Sequence, residues 1–211
     1  IAFQGERGAF SEKALYLYFS EESPVPYPCA GFRNVFESVL ERSAEFGIVP
    51  IENSLAGSIH ENYDLLLQFP DVKIVGEQQI RIEHTLISLP EAGIDDIKKV
   101  YSHPQALAQC MDFLEKHPNW ERIPFYDTAG SVAFMAEKGD VSLASIASSE
   151  AAVVHGMKVL KEGIETNPRN YTRFVIIAHQ DHPEIQVPNK ASLVYSTPDK
   201  PGALFFFSHS R

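Results

Sequence analysis

Cationic side chains are scarce: 18 Lys and Arg stand against 28 Asp and Glu, for a formal net charge of −10. That balance argues against broad binding to nucleic acid, which needs a basic surface, and leaves a small molecule or another subunit as the expected partner. Only two cysteines occur, Cys29 and Cys110, and neither belongs to a CxxC pair. The disulfide framework of small secreted domains is therefore absent. No apolar run approaches the ~20 residues needed to span a bilayer. No basic segment precedes the apolar opening Ile1-Ala2-Phe3, so the expectation is a cytoplasmic protein with no membrane association. Also missing are the GxGxxG fingerprint, a GK[ST] phosphate loop and a GxSxG elbow, which removes support for the common nucleotide and hydrolase readings. There is no internal repeat or low-complexity tract.

What is present is ordinary globular material, 44% hydrophobic over 211 residues, enough for one large domain or two lobes. Ile1 to Phe3 suit a buried strand, and the Gly5–Gly8 loop leads into Phe10, Ala14, Leu17 and Tyr18 at helical spacing. Phe32, Val35, Phe36, Val39 and Leu40 mark an amphipathic helix that feeds the buried strand Phe46 to Ile51. A helix around Tyr63 to Phe69 is followed by strands at Val72 to Val75 and at the alternating Ile80, Ile82, His84 and Leu86. A second series predicts a strand ending at Val100-Tyr101, then helices at Pro104 to Lys116, Ser131 to Lys138 and Ser148 to His155. Strands at Ile123 to Tyr126 and Val141 to Ile146 separate those helices. Such alternation predicts an α/β fold of mainly parallel sheets covered by helices. The apolar run Phe174 to Ala178 ends at a polar, proline-containing stretch from His179 to Lys190 that reads as a linker, with a new strand from Ala191 to Ser196 beyond it.

Four segments place small polar side chains at strand ends or helix starts, where α/β sheets hold ligands. They are Gln4 to Ser11, Val49 to Gly57 (containing VPIENS), Ser102 to Gln109 (opening on SHPQ) and Asn170 to Phe174 (containing TRF). Together, in this order and over residues 1–178, they resemble the prephenate dehydratase family. The resemblance implies a two-lobed fold like the type II periplasmic binding proteins, with the active site in the cleft. Lobe 1 is then expected at about 1–78 and 163–178 and lobe 2 at about 79–162, with crossings near Glu77–Ile80 and Lys161–Thr166. It also implies that residues 191–211, beyond a linker at 179–190, begin an α+β ACT regulatory domain, because Pro201-Gly202-Ala203-Leu204 resembles its GALV motif. Gly202, Ala203 and Leu204 would then bind phenylalanine as effector. The chain departs from that pattern, since Phe205 to Ser210 does not read as the expected amphipathic helix and the ESRP motif is missing.

Each site residue has a structural reading beside the functional one. Thr172 precedes an apolar strand, where β-branched residues pack well; the resemblance makes it the residue most closely tied to catalysis. In regular strand Thr172 and Phe174 share a face and Arg173 takes the other, where it supports the structure. Asn53 and Ser54 suit a turn and helix cap, while the resemblance places Asn53 in the active site, with Glu52 and Ser54 as weaker candidates for substrate contact. Ser102 with Gln105 fits a capping box, but that does not explain Gln109, seven residues on and about two helical turns away; the resemblance assigns Ser102 and Gln109 to the substrate site. Thr128 and Ser131 occupy another strand-to-helix junction, as caps or as substrate contacts. His179 and His182 have a metal-like spacing but no matching Cys or carboxylate cluster, so they read as solvated linker and no metal site is expected.

The expected chemistry is loss of water and carbon dioxide from prephenate to give phenylpyruvate, driven by aromatisation and needing no metal or organic cofactor. Thr172 would hydrogen-bond the departing hydroxyl, Asn53, Ser102 and Gln109 would fix polar groups, and Phe174 would offer an apolar wall. Alternatives are arogenate dehydratase, acting on the amino analogue, and a non-catalytic binding module on the same fold. The resemblance further implies a homo-oligomer.

Overall fold

The computed structural model describes residues 1–183, 185 and 200–201. The expected strand at Ala191 to Ser196, most of the linker, and Gly202, Ala203 and Leu204 lie outside the described residues.

Two sheets form, each flanked by helices. The first half of the chain supplies β1 (Ala2–Gln4), α1 (Phe10–Tyr18), β2 (Tyr27–Cys29), α2 (Phe32–Leu40), β3 (Phe46–Asn53), β4 (Gly57–Ser58), α3 (His60–Gln68) and β5 (Val72–Arg81). The chain then enters the second sheet with β6 (Thr85–Ser88), β7 (Lys99–Ser102), α4 (Pro104–Gln109), α5 (Met111–Leu114), β8 (Glu121–Pro124), α6 (Thr128–Lys138), β9 (Leu143–Ala147), α7 (Ser149–His155) and β10 (Lys158–Lys161). It returns with β11 (Tyr171–His179), which inserts between β3 and β5. The strand orders are β2-β1-β3-β11-β5, with β4 on β3, and β10-β6-β9-β7-β8. Among the described residues no helix is long and apolar enough to cross a membrane.

The two-lobed α/β architecture is as expected, but the sheets are mixed rather than mainly parallel. Strands β1, β2 and β3 are parallel, as are β7, β8 and β9, because each set is linked through helices. β11 runs against both β3 and β5, and β6 runs against both β9 and β10. β6 and β11 carry the chain into a sheet from the other lobe, so no helical crossover sets their direction. β5 stays paired with β11 as far as Arg81, so the first crossing lies at 82–84, a little beyond the expected boundary at 79. Beyond β11 the chain stays on the first lobe: Asp181 pairs with Arg42 at 2.7 Å, and His182 Nε2 lies 3.2 Å from Glu45. The expected solvated linker therefore begins later than His179.

Strand alternation divides the interior into three cores. Val49, Val175 and Ile177 point outward to meet Val35, Phe36 and Val39 of α2, the residues whose spacing marked that helix. Leu86, Val100 and Ile146 meet Leu107 and Leu114 in the second lobe. The third core is shared: Phe3, Ile48, Phe174 and Leu15 of the first lobe pack with Ile87, Met135 and Ala151 of the second. The lobes are joined there by more than their two crossings. Ser148 Oγ donates to Gly8 O, and Lys13 pairs with Glu150 at 2.7 Å.

Candidate active site

The strand ends and helix starts of both lobes border one cleft of about 760 Å3. It is reached by Gln4 at the end of β1, Asn53 at the end of β3, Thr172 and Phe174 on β11, and Gln109 at the end of α4. The first turns or caps of five helices also line it, through Phe10 of α1, Phe32 of α2, Ile59 before α3, His103 before α4 and Thr128 of α6. The caps of α1, α2 and α3 make no side-chain hydrogen bond, so their orphan amides leave a positive field near the cleft. No Lys or Arg is among the described residues that line it, and a bound anion would rely on that field and on neutral donors.

A chain of polar side chains crosses the back of the cleft. Asn53 Oδ1 accepts from the backbone amides of Leu55 and Ala56 at 3.0 and 2.9 Å. Its Nδ2 donates to Asn170 Oδ1 at 2.8 Å and to Thr172 Oγ1 at 2.9 Å, with Tyr171 O at 3.2 Å. Asn170 Nδ2 donates to Gln109 Oε1 at 3.0 Å, and His84 Nε2 lies 2.8 Å from the same oxygen. His84 is buried against the Phe10 ring, and burial lowers its pKa, against the opposing hydrogen bond to Gln109 and the Glu165 carboxylate. Thr172 Oγ1 accepts a hydrogen bond from this chain, so its own proton is free to point elsewhere.

The inter-lobe crossings support these side chains. Glu165, buried on the return path, accepts from His84 N at 3.0 Å and pairs with Arg81 at 2.9 Å. Gln109 O accepts from Thr166 N at 2.7 Å. This diverted carbonyl accompanies a break at Cys110, where the expected helix Pro104 to Lys116 becomes two short ones. Across the mouth, Asp127 caps α6 by accepting from Gly130 N at 2.7 Å. Burial raises its pKa, helped by the nearby Glu6, while the Gly130 amide opposes the rise.

Of the residues singled out in the sequence, Asn53, Gln109, Thr172, Thr128 and Phe174 line this one cleft. Ser102 does not: it is fully buried and its hydroxyl donates to Ile146 O of the neighbouring strand. The expected capping box is also corrected, because His103 is the cap and its Nδ1 accepts from Gln105 N. Ser131 is buried inside the second lobe, where its hydroxyl donates to Thr128 O at 2.6 Å. Ser54 ties β3 to β11 outside the cleft, donating to Arg169 O and accepting from Tyr171 N. Glu52 lies on the solvent side with Arg173, which also meets Glu77, each at 3.4 Å. His84, Asn170, Glu165 and Asp127 were not singled out for the site. His84 did leave a trace, as a polar residue in the inward register of Ile80, Ile82 and Leu86.

Comparison with known proteins places this arrangement. The family model described as prephenate dehydratase matches residues 1–182. The chain belongs to the prephenate dehydratase family. Among its relatives, "Arogenate dehydratase/prephenate dehydratase 1, chloroplastic" of Arabidopsis thaliana is 39% identical over 97% of this chain and 52% of that protein. The chain spans about half the length of the curated relatives it matches. Among solved structures, the prephenate dehydratase of Arthrobacter aurescens in complex with L-Phe has a TM-score of 0.79 and 27% identity. That match covers 97% of this chain and 70% of the other. The structure of GqqA, described as a novel type of quorum quenching acylase, has a TM-score of 0.77 and 27% identity over 97% of this chain and 73% of the other.

Proposed function

We propose that this chain is the catalytic part of a prephenate dehydratase that converts prephenate to phenylpyruvate in phenylalanine biosynthesis. The observation that carries the reading is the Thr172 hydroxyl, which accepts from Asn53 and keeps its own proton for the cleft. In the reaction the bond from the ring to its carboxylate breaks and carbon dioxide leaves. The electron pair enters the ring as the bond to the ring hydroxyl breaks, and that oxygen departs as water after gaining a proton. Aromatisation supplies the driving force. The residues have to stabilise the leaving oxygen and hold the substrate in line.

Thr172 donates its hydrogen bond to the departing hydroxyl. Gln109 and Asn53 fix the polar network, Phe174 and Phe10 supply apolar wall, and Thr128 contributes at the second lobe. The uncapped helix starts favour the two substrate carboxylates in a cleft with no Lys or Arg among its described lining residues. The resemblance assigns Ser102 to the substrate site, whereas its buried hydroxyl donates to Ile146 O and acts from within the lobe. Glu52, Ser54 and Ser131 contribute by holding β3, β11 and α6 in place. An acylase reading fits the site less well, because a nucleophilic hydroxyl needs a neighbouring base to take its proton, and Thr172 instead meets an amide donor.

Arogenate is the second substrate to consider, because the Arabidopsis relative carries both activities in its name. The same elimination would then yield phenylalanine directly. Steady-state turnover of prephenate and arogenate, measured side by side without added metal or nucleotide, tests the proposal. Prephenate is expected to have the higher kcat/KM; a reversed preference assigns the arogenate reaction, and no turnover of either by folded protein leaves the binding-module reading. We further propose phenylalanine as effector, since the Arthrobacter prephenate dehydratase was solved in complex with L-Phe, with Gly202, Ala203 and Leu204 in its site, and assembly as a homo-oligomer. Cytoplasmic location remains the proposal for this chain, although the Arabidopsis relative is chloroplastic.

A further inference from the structure

The polar chain behind the cleft has a direction, and that direction starts at the backbone. The Leu55 and Ala56 amides can only donate, so Asn53 must present Oδ1 to them and turn Nδ2 towards Asn170. Asn170 must then offer Oδ1 to Asn53 and Nδ2 to Gln109. Gln109 must meet that donor with Oε1, and His84 Nε2, 2.8 Å from the same oxygen, must carry a proton. Two donors thus converge on Gln109 Oε1. Its NH2 group is left with no acceptor among the described residues, on a side chain that lines the cleft.

We infer that His84 is a positioning residue, whose Nε2–H holds the Gln109 amide with its NH2 group towards the substrate. This rests on the dehydratase reading above and adds a residue to it. A flipped Gln109 would put its NH2 against two other donors, so the flip is opposed from both sides. Without His84 only Asn170 opposes it, and an amide oxygen then reaches the cleft in part of the molecules, where it repels the carboxylates or the leaving oxygen. His84 is 2% exposed, and its Nδ1 has no hydrogen-bond partner among the described residues. This is the state of a neutral ring protonated on Nε2 alone. The charge that acts on it is Glu165, which accepts from its backbone amide and is itself paired with Arg81; Glu83 precedes it in the chain.

Two measurements test this. In ligand-free protein labelled with 15N-histidine, His84 should show a protonated Nε2 and a bare Nδ1 at neutral pH; the opposite tautomer overturns the inference whether or not the protein is active. In kinetics, His84→Leu should lower kcat roughly ten- to a hundred-fold, the scale of a misplaced group, with a smaller change in KM. His84→Gln, which restores an NH2 donor near the same point, should recover part of the loss. The double variant His84→Leu with Gln109→Ala should be no slower than Gln109→Ala alone, because His84 acts through Gln109. Multiplied losses would overturn the positioning role, as would normal kcat in folded His84→Leu. If the unaltered protein turns over neither prephenate nor arogenate, the dehydratase reading and the catalytic half of this inference fall together, while the tautomer measurement tests the geometry separately.

Discussion

At the scale of single residues, the site depends on which atom of each amide or hydroxyl faces which neighbour. Thr172 is buried, yet losing its hydroxyl removes only one acceptor from Asn53 Nδ2, which still has Asn170 Oδ1 and Tyr171 O within reach. Thr172→Ala is therefore expected to cost about 1 kcal/mol of stability, while kcat falls by ~10²–10⁴-fold if the hydroxyl assists the leaving oxygen. Thr172→Ser should regain part of the rate. Thermal unfolding and steady-state kinetics on both variants check this, and near-normal kcat in Thr172→Ala would make Thr172 a packing residue. His84 gives a pH dependence of stability. Its folded pKa is lowered, chiefly by burial, so below about pH 6.5, the unperturbed value, the unfolded chain binds the proton more readily. The stability attached to neutral His84 is whole above that pH and is lost as pH falls towards the lowered folded value. Urea unfolding at pH 7.5 and 5.5 should show the unaltered protein losing more stability on acidification than His84→Gln; parallel losses would contradict a buried neutral ring. Comparing the two removes the opposite contribution of Asp127, whose pKa is raised.

Among the elements, the contact of the first loop with α7 is the tightest constraint on how the lobes meet. Gly8 has φ +88, and a Cβ there would lie 2.4 Å from Ala151 Cα, a backbone atom that cannot step aside. Gly8→Ala must therefore move α1 away from α7 or distort the loop. A loss of about 2 kcal/mol or more is expected, equivalent to a fall in Tm of roughly 4–8 °C in a chain of this size. Gly139→Ala is the control: its φ is +61, but nothing lies within 4 Å of the added Cβ. That variant should show only the cost of left-handed backbone, about 1 kcal/mol. Equal losses in the two, measured by thermal melts, would mean that the Ala151 contact imposes no constraint.

For the whole molecule, the question is whether two lobes behave as two folding units. Cys29 lies in the outer core of the first lobe and Cys110 in that of the second. Burial raises both thiol pKa values, with the Ser38 hydrogen bond opposing the rise at Cys29 and the Glu165 charge adding to it at Cys110. Both should resist thiol reagents in the native protein. A core shared between the lobes should couple their unfolding. Site-resolved labelling in increasing denaturant should therefore give one midpoint for both cysteines. Separate midpoints would show that the shared core does not couple the lobes.

The sequence by itself determined most of the helix and strand order, the amphipathic face of α2, the buried strand before Asn53 and the family, because these depend on local periodicity and on short runs such as VPIENS and TRF; the short strands β2, β4 and β10 left no such pattern. The family resemblance carried by those runs also marked Thr172, Asn53 and Gln109 for the site. Only the tertiary structure decided that β11 runs against its neighbours, since strand direction in a sheet is set by where the chain re-enters and not by side-chain alternation. Only the structure separated Ser102 and Ser131, turned into the second lobe, from Gln109, turned to the cleft. The partners of the Ser102 hydroxyl and of the Gln109 side-chain oxygen belong to segments distant in the sequence. His84 and Asn170 became legible for the same reason: they are 86 residues apart in the chain and meet through one oxygen of Gln109.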